Sequence, residues 1–192
     1  MIVAVFGSAQ GEPGSEAYTG ARALGRMLGE AGLDVMTGGY CGTMEAISRG
    51  AFEAGSHTYG VTCADIEVFR PLGVNPWVKT EISTPNLNRR LEVLTRQTDA
   101  MIALPGGTGT LVEIMLSLNL MVVKSIPTRP LILIGQEWQS SFSALFENNA
   151  AYIRADDQKL VHFARTNEEA VDLCKYLLIR SDYGREKINH TG

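Results

Sequence analysis

The chain has 192 residues, 45% of them hydrophobic, so it can bury a sizeable core and is most simply one domain. Its 17 Lys and Arg against 21 Asp and Glu give a formal charge of −4 with no block of like charges, which argues against a nucleic-acid backbone or an anionic membrane as its partner. The three widely spaced cysteines, Cys41, Cys63 and Cys174, argue against a disulfide framework or a thiolate zinc site, and a reducing cytoplasm is the expected compartment.

The N-terminal residues predict a buried strand rather than a targeting segment. Residues 2–6 are apolar but follow no basic region. No apolar run in the chain reaches the roughly 18 residues of a membrane helix. We therefore expect neither export nor a membrane span.

Apolar runs alternate with helical periodicity along the chain, which is the rhythm of parallel strands connected by helices. The predicted strands cover 2–6, 33–36, 57–62, 77–82, 100–104, 131–134 and 160–163. The predicted helices cover 15–31, 43–54, 86–96, 110–123, 138–150 and 167–179. The segment 63–77 is predicted to be irregular, and the polar tail 181–192 to be frayed. This pattern predicts an α/β protein with a doubly wound parallel sheet in three layers, in a single domain over residues 1–180.

Three of the predicted strands end in Gly-rich turns, at 7–11, 38–42 and 106–109. In doubly wound sheets the ligand lies at the carboxyl ends of the strands, so these turns are expected to line one crevice. Their glycine spacing matches neither the dinucleotide fingerprint nor a P-loop. A nucleoside monophosphate therefore fits this pattern better than NAD or ATP.

The third turn leads into a helix and has two interpretations. Its glycines allow the backbone to approach a ligand closely, and the N–H groups at the start of the helix favour a phosphate. Alternatively, Thr110 and Glu113 have the spacing of a capping box, in which Glu113 only secures the start of its own helix. Both interpretations stay open from the residues alone.

Residues 105–113, P-G-G-T-G-T-L-V-E, match the P-G-G-x-G-T-x-x-E signature of the LOG (Lonely Guy) family, whose members were long misnamed lysine decarboxylases. The turn at 38–44, G-G-Y-C-G-T-M, resembles the family's G-G-G-x-x-G-x-M segment, and residues 6–8 and 96–104 resemble its first turn and the run into the signature. The resemblance covers about residues 2–135. It implies a Rossmann-like domain and a homodimer with sites near the interface. The implied reaction hydrolyses the N-glycosidic bond of nucleoside 5′-monophosphates, including cytokinin ribotides, to free base and ribose 5-phosphate.

The family's catalytic pair is an Arg and the Glu that ends the signature, and the resemblance implies that these are Arg90 and Glu113 by position. A ribosyl C–N bond breaks through an oxocarbenium-like state, which a carboxylate can stabilise while it activates water, and a nearby cation keeps that carboxylate ionised. The neighbouring Arg89 does not share the helix face of Arg90, and a solvated face is the alternative for both arginines. The expected substrate-binding residues are Gly7, Ser8, Gly38, Gly39, Gly42, Thr43, Met44, Gly106, Gly107, Thr108, Gly109 and Thr110.

Three positions differ from the family pattern: Tyr40 replaces its third glycine, Leu91 replaces a lysine, and Val112 replaces an acidic residue. Residues 42–46 and 48–51 also resemble a neighbouring branch of the superfamily that includes molybdenum-cofactor carrier proteins, which bind rather than cleave. A nucleotide-binding or pterin-phosphate-binding protein without turnover is therefore the alternative function.

Other chemistries lack support in the sequence. Cys41 has no histidine beside it in its motif, which argues against a Cys–His nucleophile, and Lys124 and Lys159 stand outside any pyridoxal phosphate motif. The scattered His and Asp residues have no ligand spacing, so we expect no metal and no cofactor. The apolar helix segment 111–123 carries more large side chains than one buried face needs, which also favours a homodimer.

Overall fold

The structure, a computed structural model, describes the backbone of residues 1–69 and 73–189 and the side chains of residues 1–69 and 73–180. The strands are β1 (Ile2–Phe6), β2 (Asp34–Thr37), β3 (Thr58–Cys63), β4 (Thr80–Thr84), β5 (Ala100–Ala103), β6 (Leu131–Ile134) and β7 (Val161–Ala164). The helices are α1 (Glu16–Glu30), α2 (Thr43–Glu53), α3 (Ala64–Phe69), α4 (Leu87–Arg96), α5 (Thr108–Val122), α6 (Gln136–Asn148), α7 (Ala155–Gln158) and α8 (Asn167–Asn189).

The strands form one parallel sheet in the order β4-β3-β2-β1-β5-β6-β7. The chain moves outward from β1 to β4, then crosses back through α4 and continues at β5, on the other side of β1. In the register of the sheet, Val3 pairs with Val35 of β2 and with Ala100 of β5. The switch point between β1 and β5 is the place where doubly wound sheets bind ligands.

Alternate residues of β1 belong to two different cores, one on each face of the sheet. Val3 and Val5 pack with α1, α2 and α8, whereas Ala4 and Phe6 pack with α4, α5 and α6. All four of these side chains are buried. The predicted α/β fold, a Rossmann-like doubly wound parallel sheet in three layers, is therefore confirmed.

The segment between β3 and β4 differs from the sequence prediction. It is predicted as irregular over 63–77, but it contains α3, whose six residues are too few to show helical periodicity; residues 70–72 lie outside the described residues. β4 begins at Thr80 rather than at residue 77. The backbone N–H groups of Trp77 and Val78 donate to Asn75 and close a turn there, which delays the start of the strand.

The C-terminal helix is longer than predicted. α8 continues to Asn189 instead of ending at residue 179, so residues 181–189 are helical where the sequence predicts a frayed tail, and residues 190–192 lie outside the described part. Polar residues alone do not end a helix, since Arg, Glu and Lys are good helix formers. Over the part of the chain that is described, no helix combines the length and the apolar character needed to cross a membrane.

Candidate functional site

A cavity of about 190 Å³ opens at the carboxyl ends of β1 and β2, beside the switch point. Its lining consists of Gly7, Ala9, Tyr40, Met44, Ile66, Arg90, Gly109, Thr110 and Glu113. The sequence prediction misses Ala9, Tyr40 and Ile66 of this set. The cavity therefore joins the Gly-rich turns to side chains from α3, α4 and α5.

Arg90 reaches the cavity from α4 and is buried, with 7% of its side chain exposed. Its Nε donates to the carbonyl of Val61 at 2.8 Å, and its Nη2 donates to the carbonyl of Gly38 at 3.3 Å. A Cβ at position 38 would overlap Nη2, so a larger residue there would displace the guanidinium group. The solvated-face alternative is therefore wrong for Arg90, whereas Arg89 does lie exposed on the surface.

Glu113 faces Arg90 from α5, with 9% of its side chain exposed. Its Oε1 lies 3.6 Å from Arg90 Nη1, which is an ion pair at a distance longer than a direct hydrogen bond. Burial raises the pKa of the Glu113 carboxyl group from its ordinary 4.5 to about 7, although the positive charge of Arg90 lowers it. This carboxyl group therefore changes its protonation state near neutral pH.

The capping-box interpretation of Glu113 is wrong. The N-cap residue of α5 is Gly107, and the helix begins at Thr108, two residues earlier than predicted, so Glu113 lies in its second turn. The hydroxyl of Thr110 instead donates to the carbonyl of Gly7 at 3.1 Å, which ties the start of α5 to the end of β1. The carboxyl group of Glu113 is thus directed at Arg90 rather than at its own helix start.

The N-terminus of α5 is open at the rim of the cavity. Gly107 makes no side-chain cap hydrogen bond, and residues 105–109 are exposed. A Cβ added to Gly107 or Gly109 would meet nothing within 4 Å. The first N–H groups of a helix lack intrahelical partners and carry its positive dipole end, so this rim is suited to an anion.

The first two Gly-rich turns bind each other. The N–H of Thr43 donates to the carbonyls of Ser8 and Gln10, both at 3.0 Å, and its hydroxyl accepts from the N–H of Ser8 at 2.8 Å. Gly42, with a φ of 71°, permits this approach, because a Cβ there would overlap Ala9. Protein carbonyls therefore occupy the first N–H group of α2.

Eight of the predicted substrate-binding residues are absent from the lining of the cavity: Ser8, Gly38, Gly39, Gly42, Thr43, Gly106, Gly107 and Thr108. Ser8, Gly42 and Thr43 belong to the contact between the first two turns. The carbonyl of Gly38 accepts a hydrogen bond from Arg90, and the N–H of Gly39 donates to Thr37. Gly106, Gly107 and Thr108 form the open rim at α5 and stay candidates for phosphate binding.

Two further buried side chains shape the site. Tyr40, 3% exposed, accepts a hydrogen bond at its hydroxyl from the N–H of Cys63 at 2.7 Å, and the Cζ of Arg90 lies 5.8 Å from its ring centroid. Asn75 donates from Nδ2 to the carbonyls of Gly39 and Tyr40, both at 3.0 Å. The sequence signal for Tyr40 is its replacement of the third glycine in the motif, whereas Asn75 looks like an ordinary turn residue.

The remaining reactive side chains do not extend the site. Cys41 is partly buried, and its Sγ lies 3.6 Å from the carbonyl oxygen of Ala9. Within the ranges 1–69 and 73–180, no group of three or more His, Cys, Asp or Glu side chains is arranged to hold a metal ion. The cavity thus offers a carboxyl group, a guanidinium group and a helix N-terminus.

Comparison with known proteins places these features in context. A model of the SLOG cluster4 family matches residues 1–162. The chain is 31% identical to the pyrimidine/purine nucleotide 5′-monophosphate nucleosidase of Escherichia coli K12, over 76% of this chain and 31% of that protein. It is 35% identical to the probable cytokinin riboside 5′-monophosphate phosphoribohydrolase LOGL5 of Oryza sativa, over 59% of this chain and 46% of that protein. The chain therefore spans less than half the length of these two relatives.

Solved structures match over a larger share of their length. The molybdenum cofactor binding protein of Rippkaea orientalis superimposes with a TM-score of 0.70 at 28% identity, over 92% of this chain and 96% of that chain. The molybdenum cofactor carrier protein of Chlamydomonas reinhardtii superimposes with a TM-score of 0.68 at 25% identity, over 93% of this chain and 98% of that chain. The chain is thus similar in sequence to proteins named as enzymes, and in structure to proteins named as cofactor binding or carrier proteins.

Proposed function

This chain belongs to the SLOG cluster4 family, and we propose from that premise that it is a nucleoside 5′-monophosphate phosphoribohydrolase. The proposed reaction hydrolyses the N-glycosidic bond of a nucleotide of the AMP or cytokinin-ribotide type, giving the free base and ribose 5-phosphate. The names of the relatives from Escherichia coli and Oryza sativa support this class of reaction.

The observation that carries the proposal is the buried pair of Arg90 and Glu113 below the open N-terminus of α5. A 5′-phosphate bound to the N–H groups of Thr108 to Thr110 would bring its ribose toward the carboxyl group of Glu113. Tyr40, Met44 and Ile66 form the less polar part of the lining and would face the base. In this arrangement the phosphate would face helix N–H groups, the ribose would face a carboxyl group, and the base would face less polar side chains.

In the proposed mechanism, the C1′–N bond breaks and its electron pair leaves with the base, which takes up a proton. The carboxylate of Glu113 stabilises the positive charge that develops on the ribosyl group. Water forms the new C1′–O bond, and the proton that it loses passes to Glu113 and then to solvent. A carboxyl group with a pKa of about 7 can accept and release this proton near neutral pH.

The test is incubation of the purified protein with a panel of nucleoside 5′-monophosphates and the matching nucleosides, with release of free base followed by chromatography. We expect release from at least one monophosphate and little from its nucleoside, because the nucleoside has no phosphate for α5. Equal activity on AMP and adenosine would contradict the phosphate assignment.

Two pairs of variants make this experiment specific to the site. Glu113→Gln should lower turnover by orders of magnitude while AMP still binds. Its control is Glu92→Gln, which replaces an exposed carboxylate on α4 and should leave turnover unchanged. Arg90→Met should lower turnover, whereas Arg89→Met on the exposed side of the same helix should not. Wild-type turnover in Glu113→Gln would show that the carboxyl group has no part in catalysis.

The second candidate function is a non-catalytic carrier of a nucleotide or of a molybdopterin-type phosphate ligand. The nearly full-length match to the carrier and binding proteins, compared with the partial match to the enzymes, favours it. It predicts that the wild type binds several monophosphates but releases base from none of them. The panel experiment therefore separates the two functions without a mutant.

We also propose that the protein is a homodimer with its sites near the interface. Apolar side chains next to Glu113 are exposed on α5, at Leu111 and Val112, and Val123 follows at the end of this helix. A second copy would cover them. Light scattering at micromolar concentration should give twice the chain mass, and Val112→Asp should reduce it. A monomeric mass for the wild type would refute the dimer.

A further inference from the structure

We propose that Tyr40 is a positioning residue, whose ring holds the guanidinium group of Arg90 in the orientation that faces Glu113. The inference concerns the same pair of residues as the proposed function and in that sense rests on it. Tyr40 itself is not assigned a chemical step. Its role is carried out through Arg90.

The ring of Tyr40 is fixed from two sides. At its outer end, the hydroxyl oxygen accepts from the N–H of Cys63 at 2.7 Å and lies 3.2 Å from the carbonyl oxygen of the same residue, to which it donates. At its backbone, the carbonyl accepts from Nδ2 of Asn75 at 3.0 Å. The ring therefore bridges the turn after β2 and the end of β3 with little freedom to move.

Arg90 depends on such a rigid neighbour. Its one short hydrogen bond, from Nε to the carbonyl of Val61, does not by itself fix the orientation of the guanidinium plane. The contact with Gly38 is longer, at 3.3 Å, and the 3.6 Å separation from Glu113 is not a direct hydrogen bond. The ring of Tyr40, 5.8 Å from Cζ, is within the range of a cation–π contact, and this attraction favours the orientation that the guanidinium group has here.

A tyrosine that only filled space would act independently of the charge of Arg90. A positioning tyrosine acts only while Arg90 is present. The two roles are therefore separated by asking whether the effect of replacing Tyr40 depends on Arg90, which a double-mutant cycle measures.

The readout is the pKa of Glu113, determined by carbon NMR on protein labelled at the glutamate side-chain carboxyl carbons, with Glu113→Gln to assign the signal. The four proteins are the wild type, Tyr40→Leu, Arg90→Met and the double variant. The part of the leucine effect that does not depend on Arg90, such as a general change in cavity hydration, cancels in this cycle. We expect Tyr40→Leu to raise the pKa of Glu113 by at least about 0.5 more when Arg90 is present than when it is Met.

The matched control is Tyr18→Leu, since Tyr18 is also 3% exposed and its hydroxyl donates to Glu45 at 3.0 Å, outside the cavity. It should move the pKa of Glu113 in neither background. Tyr40→Phe, which keeps the ring, should give a smaller difference than Tyr40→Leu. If Tyr40→Leu does not fold, Tyr40→Met provides the same cycle.

Equal changes in the pKa of Glu113 in both backgrounds would overturn the proposal and leave Tyr40 as a space-filling residue. The measurement uses no substrate. A protein that releases no base from any monophosphate would therefore refute the proposed function without affecting this result, and the two failures can be told apart.

Discussion

Replacing Glu113 by Gln removes a titratable group from the floor of the cavity while keeping the size of the side chain. The pKa of this carboxyl group is about 7 in the folded protein, against an ordinary value of 4.5, because burial disfavours the charged form. Between these two values the folded state holds a proton that the unfolded state has released. The stability contributed by this group is therefore present below pH 4.5 and is lost as the pH rises through about 7.

The size of the effect follows from the two pKa values. They differ by about 2.5, and each pKa unit corresponds to about 1.4 kcal/mol, so ionisation of Glu113 costs the folded state about 3 kcal/mol. Glu113→Gln has no such loss. In this variant no carboxylate faces Arg90, and the resulting loss of stability is the same at every pH in this range. The informative quantity is therefore how the difference in free energy of unfolding between the variant and the wild type changes with pH.

The assay is urea unfolding of both proteins at several pH values from 4.5 to 8.5, followed by far-UV circular dichroism. The variant should gain about 3 kcal/mol relative to the wild type across this range. A constant difference would refute the assigned burial effect. A difference of opposite sign would show that the attraction of Arg90 outweighs burial. A residue acting only as a helix cap would change stability by about 1 kcal/mol without this pH dependence.

Three further predictions concern the residues of the site. Gly38→Ala would force a Cβ into Nη2 of Arg90 and should lower turnover by about 10²-fold, whereas Gly20→Ala, whose Cβ meets nothing within 4 Å, should leave it unchanged; equal turnover in both would contradict the close approach. Thr110→Val removes the hydrogen bond to the end of β1 and should weaken AMP binding by about tenfold, while Thr110→Ser retains affinity in calorimetry. The kcat/KM of the wild type should rise with pH to a plateau above an apparent pKa near 7, and a profile that is flat from pH 5 to 9 would count against an active carboxylate at Glu113.

The alternation of strands and helices is predictable from sequence because apolar runs and glycines mark it locally. α3 is not predictable in this way, since six residues show no periodicity. The start of β4 depends on a turn that Asn75 closes with its own side chain and carbonyl. Nothing in the neighbouring residues indicates that this Asn also holds Gly39 and Tyr40, which are more than 30 positions away in the chain.

The candidate site, too, is predictable only where neighbouring residues mark it, and not where it depends on contacts between residues distant in the chain. The motif at 105–113 predicts a turn into a helix, but the helix start at Thr108 and the burial of Glu113, which exclude the capping box, both depend on packing. Arg90 is visible from the family resemblance alone, because no spacing rule connects residues on α4 and α5. The inward position of Tyr40, in the turn after β2, depends on the N–H of Cys63 at the end of β3.

The carbonyls of Ser8 and Gln10 both accept from the N–H of Thr43, so this first donor of α2 is not available to a phosphate group of a ligand. The cavity rim has the open helix start of α5, whereas the first N–H group of α2 is occupied by the protein's own backbone. A second or third phosphate would thus have to lie in water or against these carbonyl oxygens, which repel it. We therefore expect ADP and ATP to compete poorly with AMP. The site would then select its ligand by the number of phosphate groups, independently of the base.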